Sequence, residues 1–180
     1  MNKLLIGIVV LIALIGAFFA FNAYIYEEKQ GDGGLVTDYK AATYYISDAP
    51  VHLGEGGVTY FGNEVRGDID GDGDEDIAFL ITQQPGGSGT FYYLAGAIND
   101  GGKYLGTEAM LIGDRIAPQT TEFRQLEAPY GARVIVNYAD RLPLDPMTTA
   151  PSVGKSIYAK YSAESNDFGE VVQNFEGESR

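Results

Sequence analysis

Residues 68–76, DIDGDGDED, place six carboxylates within nine positions, and the apolar run IAFLI follows directly. Two unit charges about 4 Å apart repel by ~4 kcal/mol at an effective dielectric of 20, so something must offset that charge or water must disperse it. In an extended strand Asp68, Asp70, Asp72, Asp74 and Asp76 would all line one face, the least favourable arrangement for like charges. Gly71 and Gly73 let the backbone enter positive φ, and the resulting curl gathers alternate carboxylates towards a common centre. A hard cation taking about six to eight oxygens suits such a cage, which is the chemistry of calcium; magnesium demands stricter octahedral geometry and suits it less. The competing reading is a solvated acidic turn that holds no ion.

The elements around this loop read as β-structure. Beyond residue 35, long stretches of helical period are missing and short β-type runs alternate with turn residues. Strands are expected over TYYIS (43–47), VHL (51–53), VTYF (58–61), DIAFLITQ (76–83), TFYYLAGAI (90–98), GTEAMLIG (106–113), EFRQL (122–126), RVIVNY (133–138) and SIYAKY (156–161). The connectors QQPGGSG (83–89), NDGG (99–102) and EAPYG (127–131) carry hairpin-turn chemistry. Such short links imply mostly antiparallel pairing. IAFLI is apolar at every position, as a central strand covered on both faces would be, whereas RVIVNY alternates like a half-exposed one. Residues 142–154 hold three of the seven prolines and read as an irregular surface loop. The acidic motif occurs once, which excludes an array of repeats built on it. The expected fold is mainly β: a single antiparallel β-sandwich or open barrel, preceded by one N-terminal transmembrane helix.

That helix is expected because residues 4–26 carry no charge. As a helix, residues 4–25 would span about 33 Å, enough for a ~30 Å hydrocarbon core. A cleaved signal peptide has a shorter apolar region and small residues before the cut; here Phe18 and Phe21 stand three places before the candidate cuts at Ala20 and Ala23. Lys3 on one flank and Glu27 with Glu28 on the other place the N-terminus in the cytoplasm. The organisation expected is thus an anchor over 1–26, a polar tether over 27–34, an extracytoplasmic β-domain over 35–175 and a tail over 176–180.

With 12 basic and 25 acidic side chains the net charge is −13, which disfavours nucleic acid and favours cations or basic partners. The absence of cysteine excludes disulfides, thiolate metal sites and a cysteine nucleophile. An EF-hand does not fit: counting from Asp68, the twelfth position is Phe79 rather than glutamate, and a strand follows instead of a helix.

The stretch DIDGDGDEDIAFL instead resembles the calcium loop of FG-GAP/VCBS repeats, in which D-x-D-G-D-G-x-x-D leads into a strand. That resemblance implies a metal and no particular activity. By likeness to such loops, Asp68, Asp70, Asp72 and Asp76 are side-chain ligands, Asp74 offers its backbone carbonyl, and Glu75 faces solvent. A wider set of segments is similar to an uncharacterised family of bacterial membrane-anchored proteins: FNAYIYEEKQ, YFGNEVRGDIDGDGDEDIAFLITQ, PGGSGTFYYLAGAI, GDRIAPQ, VNYADR and PMTTAPSVGKS. It implies the topology above and names no reaction.

Other residues suggest less. GGSGT (86–90) lacks the lysine of a phosphate cradle, and GKS (154–156) lacks the earlier P-loop glycine, position 149 being Thr149. His52, within VHL, reads as a structural histidine. Asp114–Arg115 and Asp140–Arg141 read as loop-anchoring ion pairs. Tyr92, Tyr93 and Tyr138 could stack against a sugar, although tyrosine is in any case a good strand residue. The function expected is a membrane-anchored, extracytoplasmic calcium-binding β-domain. Calcium would be structural and the role a non-enzymatic one of binding a basic protein or an envelope polymer. The alternatives are a hydrolase of cell-wall or extracellular polymer using two carboxylates, or a periplasmic inhibitor of a basic enzyme.

Overall fold

A computed structural model describes residues 14–18, 34–127 and 130–171. The chain divides into two units, residues 1–33 and 34–180. In the first, residues 14–18 are helical and exposed. Among the described residues no helix is long and apolar enough to cross a membrane; most of the span expected over 4–26, residues 27–33 of the tether expected over 27–34, and the tail over 176–180 lie outside the described residues.

The second unit is mainly β, with three antiparallel sheets. After a 3₁₀ turn at Tyr39–Ala41, whose N-terminus is capped by the Asp38 side chain, come β1 (Tyr44–Ile46), β2 (Ala49–Val51), β3 (Val58–Gly67), β4 (Asp76–Gln83), β5 (Phe91–Asp100), β6 (Lys103–Gly106), β7 (Met110–Asp114), β8 (Ala117–Gln125), β9 (Ala132–Asp140), β10 (Val153–Ser162) and β11 (Asp167–Glu170). β1 and β2 form a hairpin. Strands β3, β4, β5 and β6 form a second sheet, with β7 also along β5, and β11, β10, β9 and β8 form the third.

β4 is covered on both faces, as its unbroken apolar run requires. Ala78 and Leu80 join Leu94, Ile112, Val134, Val136, Ala159 and Phe168 in a core shared by the two larger sheets. Ile77, Phe79 and Ile81 point the other way, into a second core with Tyr44, Ile46, Val58 and Ala95. The β1–β2 hairpin and the 3₁₀ turn supply the cover on that side. Turn chemistry fixes the registers: Asp100 faces Lys103 across Gly101 and Gly102, whose φ values of 60° and 88° make the two-residue turn that matches strand twist.

Several expected boundaries shift. β2 ends at Val51, so His52 lies outside a strand and is exposed, not a structural core residue. GTEAMLIG is divided between two strands: Thr107 still bonds Gly96 of β5 through its N–H and hydroxyl, but Tyr45 N donates to Thr107 O, Ala109 N to Tyr45 O, and Glu108 N to Asn166 O, which interrupts the ladder over residues 107–109. β9 is not half-exposed. Val134, Ile135, Val136 and Tyr138 are all buried: Val134, Val136 and Tyr138 face the core shared by the two larger sheets, and Ile135 lies on the other face between Glu122 and Tyr158 of the neighbouring strands. β11 was not foreseen; its four residues, DFGE, carry only Phe168 as a buried anchor.

One polar cluster ties the 3₁₀ turn to β3. Glu64 Oε2 accepts from Tyr39 Oη at 2.5 Å and Tyr60 Oη at 3.1 Å, and Arg66 sits 2.7 Å from Glu64 Oε1. Burial alone would raise the Glu64 carboxyl, but these hydrogen bonds and the Arg66 charge outweigh it and hold the group below its ordinary value. A depressed carboxylate stabilises the fold above its unfolded value of ~4.3 and loses that contribution as pH falls through the folded value. Glu64→Gln should therefore flatten the acid limb of a stability-against-pH curve below pH ~4.3, measured by denaturant unfolding at each pH. An unchanged acid limb would remove Glu64 from the account.

Candidate metal centre

The acidic loop connects β3 to β4 at the end of the sheet where β5 turns into β6. Gly71 and Gly73 take φ values of 91° and 99°, so the loop curls where the sequence allows it. Each aspartate carboxylate then meets a backbone donor. Asp68 Oδ1 accepts from Gly71 N at 2.7 Å, Asp70 Oδ1 from Asp72 N at 3.0 Å, and Asp72 Oδ1 from Asp74 N at 2.7 Å. These are successive side-chain-to-backbone turns, the local bonding that Asp favours outside regular structure.

Asp76, the first residue of β4, is fully buried. Its Oδ2 accepts from Ile69 N at 2.8 Å and Asp70 N at 3.3 Å, and its Oδ1 accepts from Asn99 N at 2.7 Å. The Asn99 side chain closes the same junction by donating to Glu75 O at 3.2 Å. One carboxylate thus fastens the loop to itself and to β5. Burial pushes the Asp76 carboxyl up despite the three N–H donors that favour its charged form. Asp70 is also pushed up, first by burial and then by the charges of Asp72 and Asp68. At Asp76 this reports a negative charge held away from water, whereas the exposed Asp70 also feels its two acidic neighbours.

Oxygens of Asp68, Asp70 and Asp76 lie within 4.8 Å of one another. Two oxygens on one calcium stand at most about 5 Å apart, twice the usual bond length, so this trio fits the reach of a single ion. A carboxylate oxygen has two lone-pair directions, which leaves capacity for a cation beside the backbone bonds. Of the five aspartates singled out from sequence, the fold brings these three together. Asp72 and Asp74 are outside the group: the Asp72 carboxylate serves the loop, and Asp74 Oδ2 accepts from Gly101 N at 3.3 Å. Glu75 is largely exposed, as expected, although Arg66 reaches it at 3.4 Å.

The remaining candidates are placed as follows. Asp114 and Arg115 pair at 3.0 Å, whereas Asp140 pairs with Lys155 at 2.7 Å rather than with Arg141. The Arg141 guanidinium instead donates to the carbonyls of Thr149 and Arg115. Tyr138 is buried and Tyr92 and Tyr93 are half-buried, so the three do not form a stacking surface. QQPGGSG is a hairpin connection between β4 and β5. Asn99 is the site residue that sequence reading missed; an Asn just before a Gly-Gly turn signals a turn, and only the fold brings its N–H to Asp76. Comparison of the chain with protein-family models, with curated proteins and with solved structures finds no match, so the resemblances above stand on the quoted residues alone.

Proposed function

We propose that this chain is a membrane-anchored, extracytoplasmic β-domain, a sandwich in which the acidic loop holds one structural calcium ion. Its role would be a non-enzymatic one, binding a basic protein or an envelope polymer. The observation that carries the metal reading is the convergence of Asp68, Asp70 and the fully buried Asp76 within 4.8 Å. The carboxyls of Asp70 and Asp76 are pushed up without an ion, which is the electrostatic cost a divalent cation would relieve. Calcium there would pin the entrance to β4 and hence that strand's register. The uncharged run over 4–26 supports the anchor, and the net charge of −13 supports a cationic over an anionic partner. A turn that needs no ion is the second reading, favoured by the backbone donors already bound to Asp68, Asp70 and Asp76.

Thermal unfolding in calcium, in magnesium and in chelator separates the two. A ligand present at a hundred times its Kd adds about 2.7 kcal/mol, or roughly 5–11 °C in a domain of this size. That rise is expected with calcium, with a much smaller one in magnesium. Coincident melts in all three would establish the ion-free turn.

A further inference from the structure

We propose that the loop between β9 and β10 is a lipid-contacting tip, by which the domain rests on a bilayer surface independently of the segment 1–26. Residues 141–152 present Leu144 to solvent at 96 % exposure, with Leu142 at 56 % and Met147 at 43 %. Large apolar side chains held this far out are uncommon when they cluster, and this loop is braced in its form. Arg141 ties the loop across to Thr149 O through Nε and fastens it to the β7–β8 connection through Nη1 to Arg115 O. Asp145 Oδ2 accepts from Leu142 N while Asp145 N donates to Leu142 O, and Ser152 N closes on Asp140 O. Pro143, Pro146 and Pro151 reduce the freedom that contact would otherwise remove.

Charge is arranged to suit a lipid surface. Arg115 N donates to Thr90 O, so the loop lies at the end of the sheet where β4 runs into β5. The acidic loop lies at the other end of β4, about 26 Å away for an eight-residue strand. Several Debye lengths of about 8 Å separate the two, so the aspartates add little repulsion at the tip. Near the loop, Asp114 and Asp140 are paired with Arg115 and Lys155, and Asp145 is turned onto Leu142 N; Glu55, in the β2–β3 connection, is exposed. The three apolar side chains offer on the order of 300 Å², well under the ~800 Å² a side of a stable protein interface. A bilayer accepts apolar side chains one at a time, so a convex tip of this size fits lipid better than a protein pocket.

The chain contains no tryptophan, so Leu144→Trp in the full-length protein makes a reporter confined to this loop. With phosphatidylcholine vesicles, its emission should shift to the blue, and lipids brominated on their acyl chains should quench it roughly twofold or more. Lys103→Trp, at the opposite end of the sheet, should respond to neither. Adding Leu142→Ser and Met147→Ser to Leu144→Trp should weaken the quenching. The proposal is overturned if the protein floats with vesicles while Trp emission at 144 stays that of an exposed residue. It is equally overturned if the protein does not associate with the vesicles at all. A blue shift that grows with protein concentration without lipid would replace lipid with a second copy of the chain as the occupant.

Discussion

Asp76→Ala should destabilise the metal-free domain by at least about 3 kcal/mol, the low end of the sum expected when three buried or half-buried backbone donors lose their acceptor at ~1–3 kcal/mol each. Three such donors, Ile69 N, Asp70 N and Asn99 N, converge on this one carboxylate. Asp76→Asn should cost less, because its amide oxygen still accepts and a buried negative charge is removed at the same time. Asp70→Ala is the informative companion. Asp70 is exposed, and its side chain serves only Asp72 N within the loop, so in chelator this variant should lie within about 1 kcal/mol of the parent. In calcium the order changes meaning: Asp70→Ala should lose the calcium-dependent increment while keeping the metal-free stability. Denaturant unfolding of the three variants with and without calcium measures both quantities. If Asp70→Ala retains the full increment, the ion is held elsewhere; if Asp76→Ala unfolds in chelator like the parent, the junction around Asn99 does not hold β4.

This loop also shows what a sequence exposes and what it conceals. Alternating aspartates with glycines between them encode the curl, because spacing and positive φ are local properties. Which carboxylates converge is not local. Asp76 is singled out by full burial beside β5 and by Asn99 N, 23 residues away, while Asp72 and Asp74 carry the same side chain at the same spacing and turn to the loop and to Gly101 instead. The same division holds in the sheets. Residues 77–81 advertise burial on both faces by composition alone, and β4 takes the expected bounds. RVIVNY looks half-exposed because Arg133 and Asn137 are polar; but the Asn137 amide donates to Thr120 and Glu122 and its Oδ1 accepts from Ser156, a cross-strand row that keeps polar atoms satisfied above a buried Ile135. Adjacent residues in sequence suggested the pair Asp140–Arg141; the antiparallel register sets Lys155 opposite Tyr138, close enough to take Asp140 and leave Arg141 to brace the loop.

Phe79→Ala should be the most damaging core substitution on the face of β4 away from the shared core, at ~3–5 kcal/mol. Phe79 is fully buried, and three tyrosine rings close around it: Tyr39 at 5.5 Å, Tyr44 at 5.4 Å and Tyr60 at 5.3 Å between centroids. Tyr39 and Tyr44 meet it edge-on, the arrangement that aligns ring edge with ring face. All three rings are fixed by further bonds, since Tyr44 Oη donates to Tyr39 O and Tyr39 Oη and Tyr60 Oη both donate to Glu64. They cannot simply collapse into the space a methyl leaves, so the cavity term should lie near the top of its range. Phe79→Leu keeps most of the volume and should cost only about 1–1.5 kcal/mol. The consequence reaches the rest of the domain because these rings belong to the 3₁₀ turn, β1 and β3, the elements that cover the second core. Amide exchange over residues 39–46 should accelerate in Phe79→Ala more than exchange over β9, which packs on the opposite face of the sheet. Equal acceleration in both would mean that the domain opens only as a whole, and that the Phe79 cluster does not hold its cover as a separate unit.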